Sequence, residues 1–166
     1  MSAIDRFSNA ATTAGASVHA VDRSAATDAI AELTRRPAVG VPLPIDGVSL
    51  PEGVETDPTE VELQDAETGI TGAPLGIESV GSVLVPSDKR MTGPISLFPN
   101  RQIAVVERGA LVADVTTAFA RIAERYRTQG NDAVLVTGPS STGDMGALVT
   151  GVHGPAELHI VVIDDE

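Results

Sequence analysis

The sequence predicts an α/β fold, a parallel-rich sheet flanked by helices. Residues 103–106, 133–137 and 159–163 are short aliphatic runs with almost no polar interruption, the pattern of strands buried on both faces. An amphipathic stretch lies between the first two, so residues 103–137 read as strand, helix, strand. Such a βαβ unit implies parallel pairing. Hydrophobic residues make up 42% of the 166 but aromatics only 2%. The expected core is therefore aliphatic, within a single domain covering residues 1–166.

Each element has its own signal. In residues 3–14, Ile4, Phe7, Ala10, Ala11 and Ala14 recur at helical spacing, and Gly15 follows as a stop. Residues 18–21 read as a short strand. Ser24 is placed to cap a second helix whose inward face is Ala26, Ala29, Ile30 and Leu33. Pro37 ends that helix, and residues 38–41 form a second strand. From 42 to 60, Pro42, Pro44, Pro51 and Pro58 are scattered among glycines and acids with no helical period. That composition predicts a surface loop or short linker. Residues 61–63 and 82–85 are further short runs expected as strands. Asp114 is suited to cap a helix carrying Val115, Ala118, Phe119, Ile122 and Tyr126 on one face, with Gly130 just beyond its end.

Charge and composition exclude several classes. Acids number 23 against 11 basic residues, a formal net charge of −12. Lys89 is the single lysine. Nucleic acid and anionic membranes both need basic patches, so neither is an expected partner. Carboxylates hold water, lysine stems add apolar surface, and salt screens acidic self-repulsion, so the composition suits a high-salt cytoplasm. The chain has no cysteine, which excludes disulfides, thiolate catalysis and any cysteine-ligated iron–sulfur cluster on this chain. The first residues lack a basic start followed by an apolar stretch, so no signal peptide is expected and the expected location is cytoplasmic.

Three segments carry polar groups suited to chemistry. In the first, residues 134–144, an apolar run enters a loop with Thr137, Gly138, Ser140, Ser141, Thr142, Gly143 and Asp144. Loops beyond the carboxyl ends of parallel strands hold ligands, and such hydroxyls and amides can cradle an oxyanion. No Gly-Lys-Ser/Thr follows, so this is not a nucleotide-binding P-loop, and a plain connecting loop is an equal reading. The second segment, residues 150–159, holds Gly151, His153, Gly154 and Pro155 in a turn before the last strand. His153 there is either a ligand donor and proton carrier or a structural histidine holding a carbonyl. His159 reads as a packing residue, and the two histidines do not have zincin spacing, so no metal site is expected. The third segment, residues 68–82, holds Thr71, Gly72, Glu78, Ser79 and Ser82. Glu78 is either a general base or a solvated surface acid. The candidate catalytic residues are thus His153, Glu78 and Asp144. The candidate ligand-binding residues are Thr71, Gly72, Thr137, Gly138, Ser140, Thr142, Gly151, His153 and Gly154, and no cofactor is identified.

Residues 135–144, then 151–159 with the closing Val161, Val162, Ile163 and Asp164, resemble the C-terminal signature of LUD-domain proteins. Residues 69–73 resemble that family's first glycine motif, and residues 77–82 its Ala-Glu-Thr-Gly-Ser/Thr segment. Ser96-Leu-Phe-Pro99 followed by Gln102-Ile-Ala-Val-Val106 resembles its Leu-Leu-Pro-x-x-His-Ile-x-Val-Val stretch. There are two departures. Gly146 stands where the family usually has a glutamate, so that glutamate's role is not carried over. One residue, Val80, is added before Gly81. The resemblance implies a fold similar to the sugar-phosphate isomerase, CoA-transferase and formyltetrahydrofolate cyclo-ligase group. It also implies a setting in lactate oxidation to pyruvate, beside iron–sulfur partner proteins.

Three functions then compete. One is an accessory component of lactate utilization that binds a small anionic ligand or a partner. Another is a cyclo-ligase- or transferase-like enzyme acting on a nucleotide or acyl-CoA, which would need a basic phosphate clamp. Only Arg90 and Arg101 could reach the C-terminal loops for that purpose. The third is a non-catalytic ligand-binding module.

Overall fold

The computed structural model describes residues 1–129, 132–144, 147–150 and 154–165. The elements in chain order are α1 (Ala3–Thr13), β1 (Ser17–Val21), α2 (Arg23–Leu33), β2 (Ala38–Gly40), α3 (Glu60–Asp65), β3 (Thr68–Gly72), β4 (Gly76–Ile77), β5 (Ser82–Pro86), α4 (Thr92–Leu97), β6 (Arg101–Glu107), β7 (Leu111–Val112), α5 (Val115–Gln129), β8 (Ala133–Thr137), β9 (Ser141–Asp144), β10 (Ala147–Thr150) and β11 (Glu157–Ile163). Among the described residues, no helix is long and apolar enough to cross a membrane.

The central sheet has strand order β1-β11-β6-β3-β2 and is parallel throughout. The α/β expectation holds. One face carries Ile70, Ile103, Val105, Val161 and Ile163, packed under Ala26 and Ile30 of α2. The other carries Ala104, Val106, Leu158, Ile160 and Val162, packed under Ile4, Phe7 and Ala11 of α1. β6 and β11 are buried on both faces, which is why their apolar runs are unbroken.

A second sheet, β7-β4-β5-β8, lies on the α1 side of the first, with Val83 and Val136 reaching the α1 core. Its outer face packs Leu75, Ile77, Leu84 and Val112 under Ala118 of α5. The βαβ expectation fails here. β8 does not join β6; it pairs antiparallel with β5 in the second sheet. It is an edge strand, only partly buried, with Val134 51% exposed. An edge strand resting on another layer can be as apolar as a central one, so the run alone could not distinguish them. Phe119 likewise leaves the inward face of α5 and is 57% exposed.

Three further expectations change. Asp22, not Ser24, occupies the N-cap of α2, with no side-chain capping bond. Residues 61–63 are helical. The Thr59 hydroxyl accepts from the Glu62 amide, and the Glu62 carboxylate accepts from the Thr59 amide. This capping box overrides a three-residue apolar run. Residues 42–60 are a packed cover, not a linker. Val48 is buried and Leu43, Ile45, Leu50 and Val54 pack on the α2 face of the core. The Gly40 amide donates to the Glu55 carbonyl, and the Glu55 amide to the Ala38 carbonyl, at 2.9 and 3.0 Å. The segment thereby occupies the free edge of β2, which would otherwise present unpaired amides. The Asp114 cap stands: its carboxylate accepts from the Thr117 amide at 2.8 Å. Gly130 lies outside the described residues.

Candidate functional site

The loop leaving β8 and the turn entering β11 meet. The Ser140 amide donates to the Pro155 carbonyl at 2.8 Å, and Gly154 lies against the Ser140 side chain. Thr137, Gly138, Ser140 and Gly154 therefore share one cavity of about 360 Å³. Its location differs from the expectation. β8 belongs to the second sheet, so its carboxyl end points across the amino-terminal starts of β6 and β11. The cavity floor is Gln102 and Leu158, adjacent register partners at those starts, and Leu97 of α4 forms part of the rim.

One backbone approach and one side-chain contact hold this loop in place. Gly138 has φ +67°, and a Cβ on it would lie 2.1 Å from the Ala14 carbonyl oxygen. Only glycine permits that backbone conformation at so short a distance from the end of α1. At the other end, the Thr137 and Ser82 hydroxyls, paired across β8 and β5, are 2.5 Å apart.

Gln102, which the sequence presents only as part of a motif, is the most unusual group in the cavity. It is 2% exposed, and its Nε2 has no hydrogen-bond partner. A buried amide donor without a partner costs about 1–3 kcal/mol, so such groups are rare in folded proteins. The sequence signal is a polar residue directly before the apolar run at 103–106.

The other candidates are placed as follows. Thr71 is fully buried in β3, beside Ala104, on the same face of the central sheet as Gln102. Its hydroxyl also lacks a partner. Gly72 closes β3 at the opposite, carboxyl end of the sheet, against Pro44. Glu78 is not a solvated surface acid. It is 6% exposed and accepts from Arg6 Nε at 2.7 Å. This ion pair lines a second, open cavity of about 650 Å³, in which Asn9, Thr13 and Ser79 also take part. Thr137 lines both cavities, so Glu78 is a neighbour of the loop site across that residue. Thr142 and Asp144 lie in β9, antiparallel to β10, by their backbone; their side chains lie outside what is described. Gly151 and His153 lie outside the described residues.

Arg101 does not serve the loop cavity. It lies on the α2 face, where its Nε donates to Glu157 at 2.8 Å and an Nη to the Leu33 carbonyl at 2.8 Å. The Arg101 bond holds the Glu157 carboxyl below the usual carboxylate range. Beside that pair, His19 Nε2 and His159 Nδ1 are 3.1 Å apart, with rings stacked at 5.4 Å. Partial burial, then the Arg101 charge, pushes both imidazoles below the ordinary histidine value. His159 thus has a partner, as a packing residue should.

Comparison with known proteins supplies a family. Residues 52–163 match the LUD domain model. Lactate utilization protein C of Macrococcus caseolyticus is 33% identical over 105 residues, covering 61% of this chain and 46% of that protein. Its counterpart from Shouchella clausii is 30% identical over 123 residues, covering 72% of this chain and 53% of that protein. The chain thus spans about half the length of the curated relatives it matches. Among solved structures, a DUF162 family protein from Deinococcus radiodurans superposes with a TM-score of 0.74 at 24% identity, covering 98% of this chain and 96% of that one. That likeness concerns the fold.

Proposed function

Because the chain belongs to the LUD-domain family, we propose that it is a component of lactate utilization, supporting oxidation of lactate to pyruvate together with iron–sulfur partner proteins. The relatives named lactate utilization protein C support the setting. The observation that supports a ligand-binding role is the closure of the β8 loop and the β11 turn over Gln102. Its described lining offers hydroxyls, amides and apolar walls, and no Lys or Arg. A small organic acid fits such a lining. A nucleotide or acyl-CoA would require cations for its phosphates, which weighs against a cyclo-ligase or transferase.

In this reading the chain moves no electrons itself. It has no cysteine to ligate a cluster, and oxidation of a hydroxyl to a ketone needs a two-electron acceptor, supplied here by the partners. The test is reconstitution with L-lactate and a dye acceptor. The expected result is no dye reduction by the chain alone and a rate with partners that falls when this chain is withheld. Steady reduction by the chain alone, or full activity without it, overturns the proposal.

A further inference from the structure

We propose that Gln102 is the recognition residue of the loop cavity, donating its side-chain amide to an oxygen of a small 2-hydroxy or 2-oxo monocarboxylate; this rests on the function proposed above.

Gln102 is the second residue of β6, between Gly69 of β3 and Leu158 of β11, its register partners on either side. Neither offers a polar side chain. The α1-side face of the sheet continues from it into Ala104 and Val106. Nothing in that row satisfies an amide, yet the side chain is 98% removed from solvent and lines the cavity. Leucine or methionine would serve packing better, because a buried donor without an acceptor is destabilising. The group that resolves this cost is an acceptor brought into the cavity.

The cavity's other features narrow the acceptor's chemistry. About 360 Å³ lies at the small end of ligand cavities and suits a compact molecule. Leu135, Val136 and Leu158 give apolar contact for a short carbon chain, and Thr137 and Ser141 add hydroxyls at the wall. Neutral donors of this kind bind a carbonyl, hydroxyl or carboxylate oxygen without a counter-charge. A phosphate dianion brings twice the charge of a monocarboxylate to the same neutral donors, so the described lining favours the monocarboxylate.

The experiment uses the whole chain. Isothermal titration measures L-lactate, pyruvate, glycolate, acetate and inorganic phosphate against the wild type, Gln102→Leu and Gln102→Met. Thermal melts accompany each variant. Nitrogen-15 NMR follows the Gln102 side-chain amide of the wild type as ligand is added. The expected result is binding of the hydroxy and oxo acids and not of phosphate. The amide resonance should shift with the binding isotherm. Affinity should fall about tenfold or more in both variants, with a melting temperature equal to or above the wild type's. Equal affinity in the variants overturns the proposal. So does an amide resonance that ignores saturating ligand, or the absence of binding by every probe. Should either variant fail to fold, the wild-type amide resonance decides alone. The two proposals fail separately. Gln102-dependent binding of glycolate without lactate or pyruvate would keep the recognition role and remove the lactate reading. Lactate binding indifferent to Gln102 would do the reverse.

Discussion

Replacing Gly81 with alanine should be among the most damaging single-atom additions in the chain. Gly81 has φ +66°, and a Cβ there would lie 2.1 Å from the Ala11 nitrogen and 2.4 Å from the Ala11 Cα. The left-handed conformation alone costs a non-glycine residue about 1–2 kcal/mol. Relieving the contact requires the turn after β4 to move roughly 1 Å from α1, and overpacking of that kind costs about 1–3 kcal/mol. Ala11 cannot yield cheaply, because it is fully buried in the core beneath α1. The expected loss is therefore about 2–5 kcal/mol, a large part of a typical domain's total. Gly109→Ala is the matched control: a Cβ there meets nothing within 4 Å and its φ is not left-handed. Urea unfolding followed by circular dichroism gives both values with one slope. If Gly81→Ala fell within about 1 kcal/mol of Gly109→Ala, the packing of this turn on α1 would be wrong, and with it the placement of Glu78.

Arg6→Ala should destabilise the fold by about 1–2 kcal/mol, less than a fully buried pair because Arg6 is half exposed. Adding Glu78→Gln should recover part of the loss in a double-mutant cycle, since the orphaned charge is then removed. Stability should fall as pH drops from about 6.5 toward 5. Both His19 and His159 have lowered values in the fold, so the unfolded chain binds more protons in that window and the native state loses ground. The groups facing the pair are Arg101, Glu157 and Arg35; Glu157, also lowered, adds its own loss only in the carboxylate range. Calorimetry of a His19→Gln, His159→Gln double variant should show a flatter profile, and an unchanged slope would remove the pair from the account. Finally, the net charge of −12 and the single lysine predict a melting temperature that rises between dilute and molar KCl. Equal melting at both would discard the high-salt reading.

The parts of this fold that were legible in the sequence are those fixed by local pattern. α1, α5 with its Asp114 cap, and the doubly buried β6 and β11 each carry a signal within a dozen residues. What was illegible depended on distant partners. β3, written Thr68-Gly-Ile-Thr-Gly72, resembles a polar loop and is nonetheless buried in the sheet, because Gly69 lets the Ile95 carbonyl of α4 come so close that a Cβ would lie 2.0 Å from it. β8 has a central strand's composition and an edge strand's position. In the site, the 137–141 loop was expected beyond the carboxyl end of a parallel strand; it leaves an antiparallel strand of the second sheet instead and meets Gly154 at the amino-terminal edge of the first. Glu78 found its guanidinium 72 positions upstream, in a helix with no motif to announce it. Gln102 declared itself only once its surroundings were known to be apolar.

The strand order β1-β11-β6 has a consequence for the order of assembly. Ser17 waits for His159 as its neighbour, and β6 waits for the same strand on its other side. β11 is inserted between two strands made long before it. While the chain is being synthesised, β1 and β6 both carry bare hydrogen-bonding edges, and nothing earlier in the sequence bridges them. Closing so long a loop is slow and delays the reward of burial until the end. β11 thus acts as a keystone. Losing it would not trim one side of the protein; it would divide its central sheet in two.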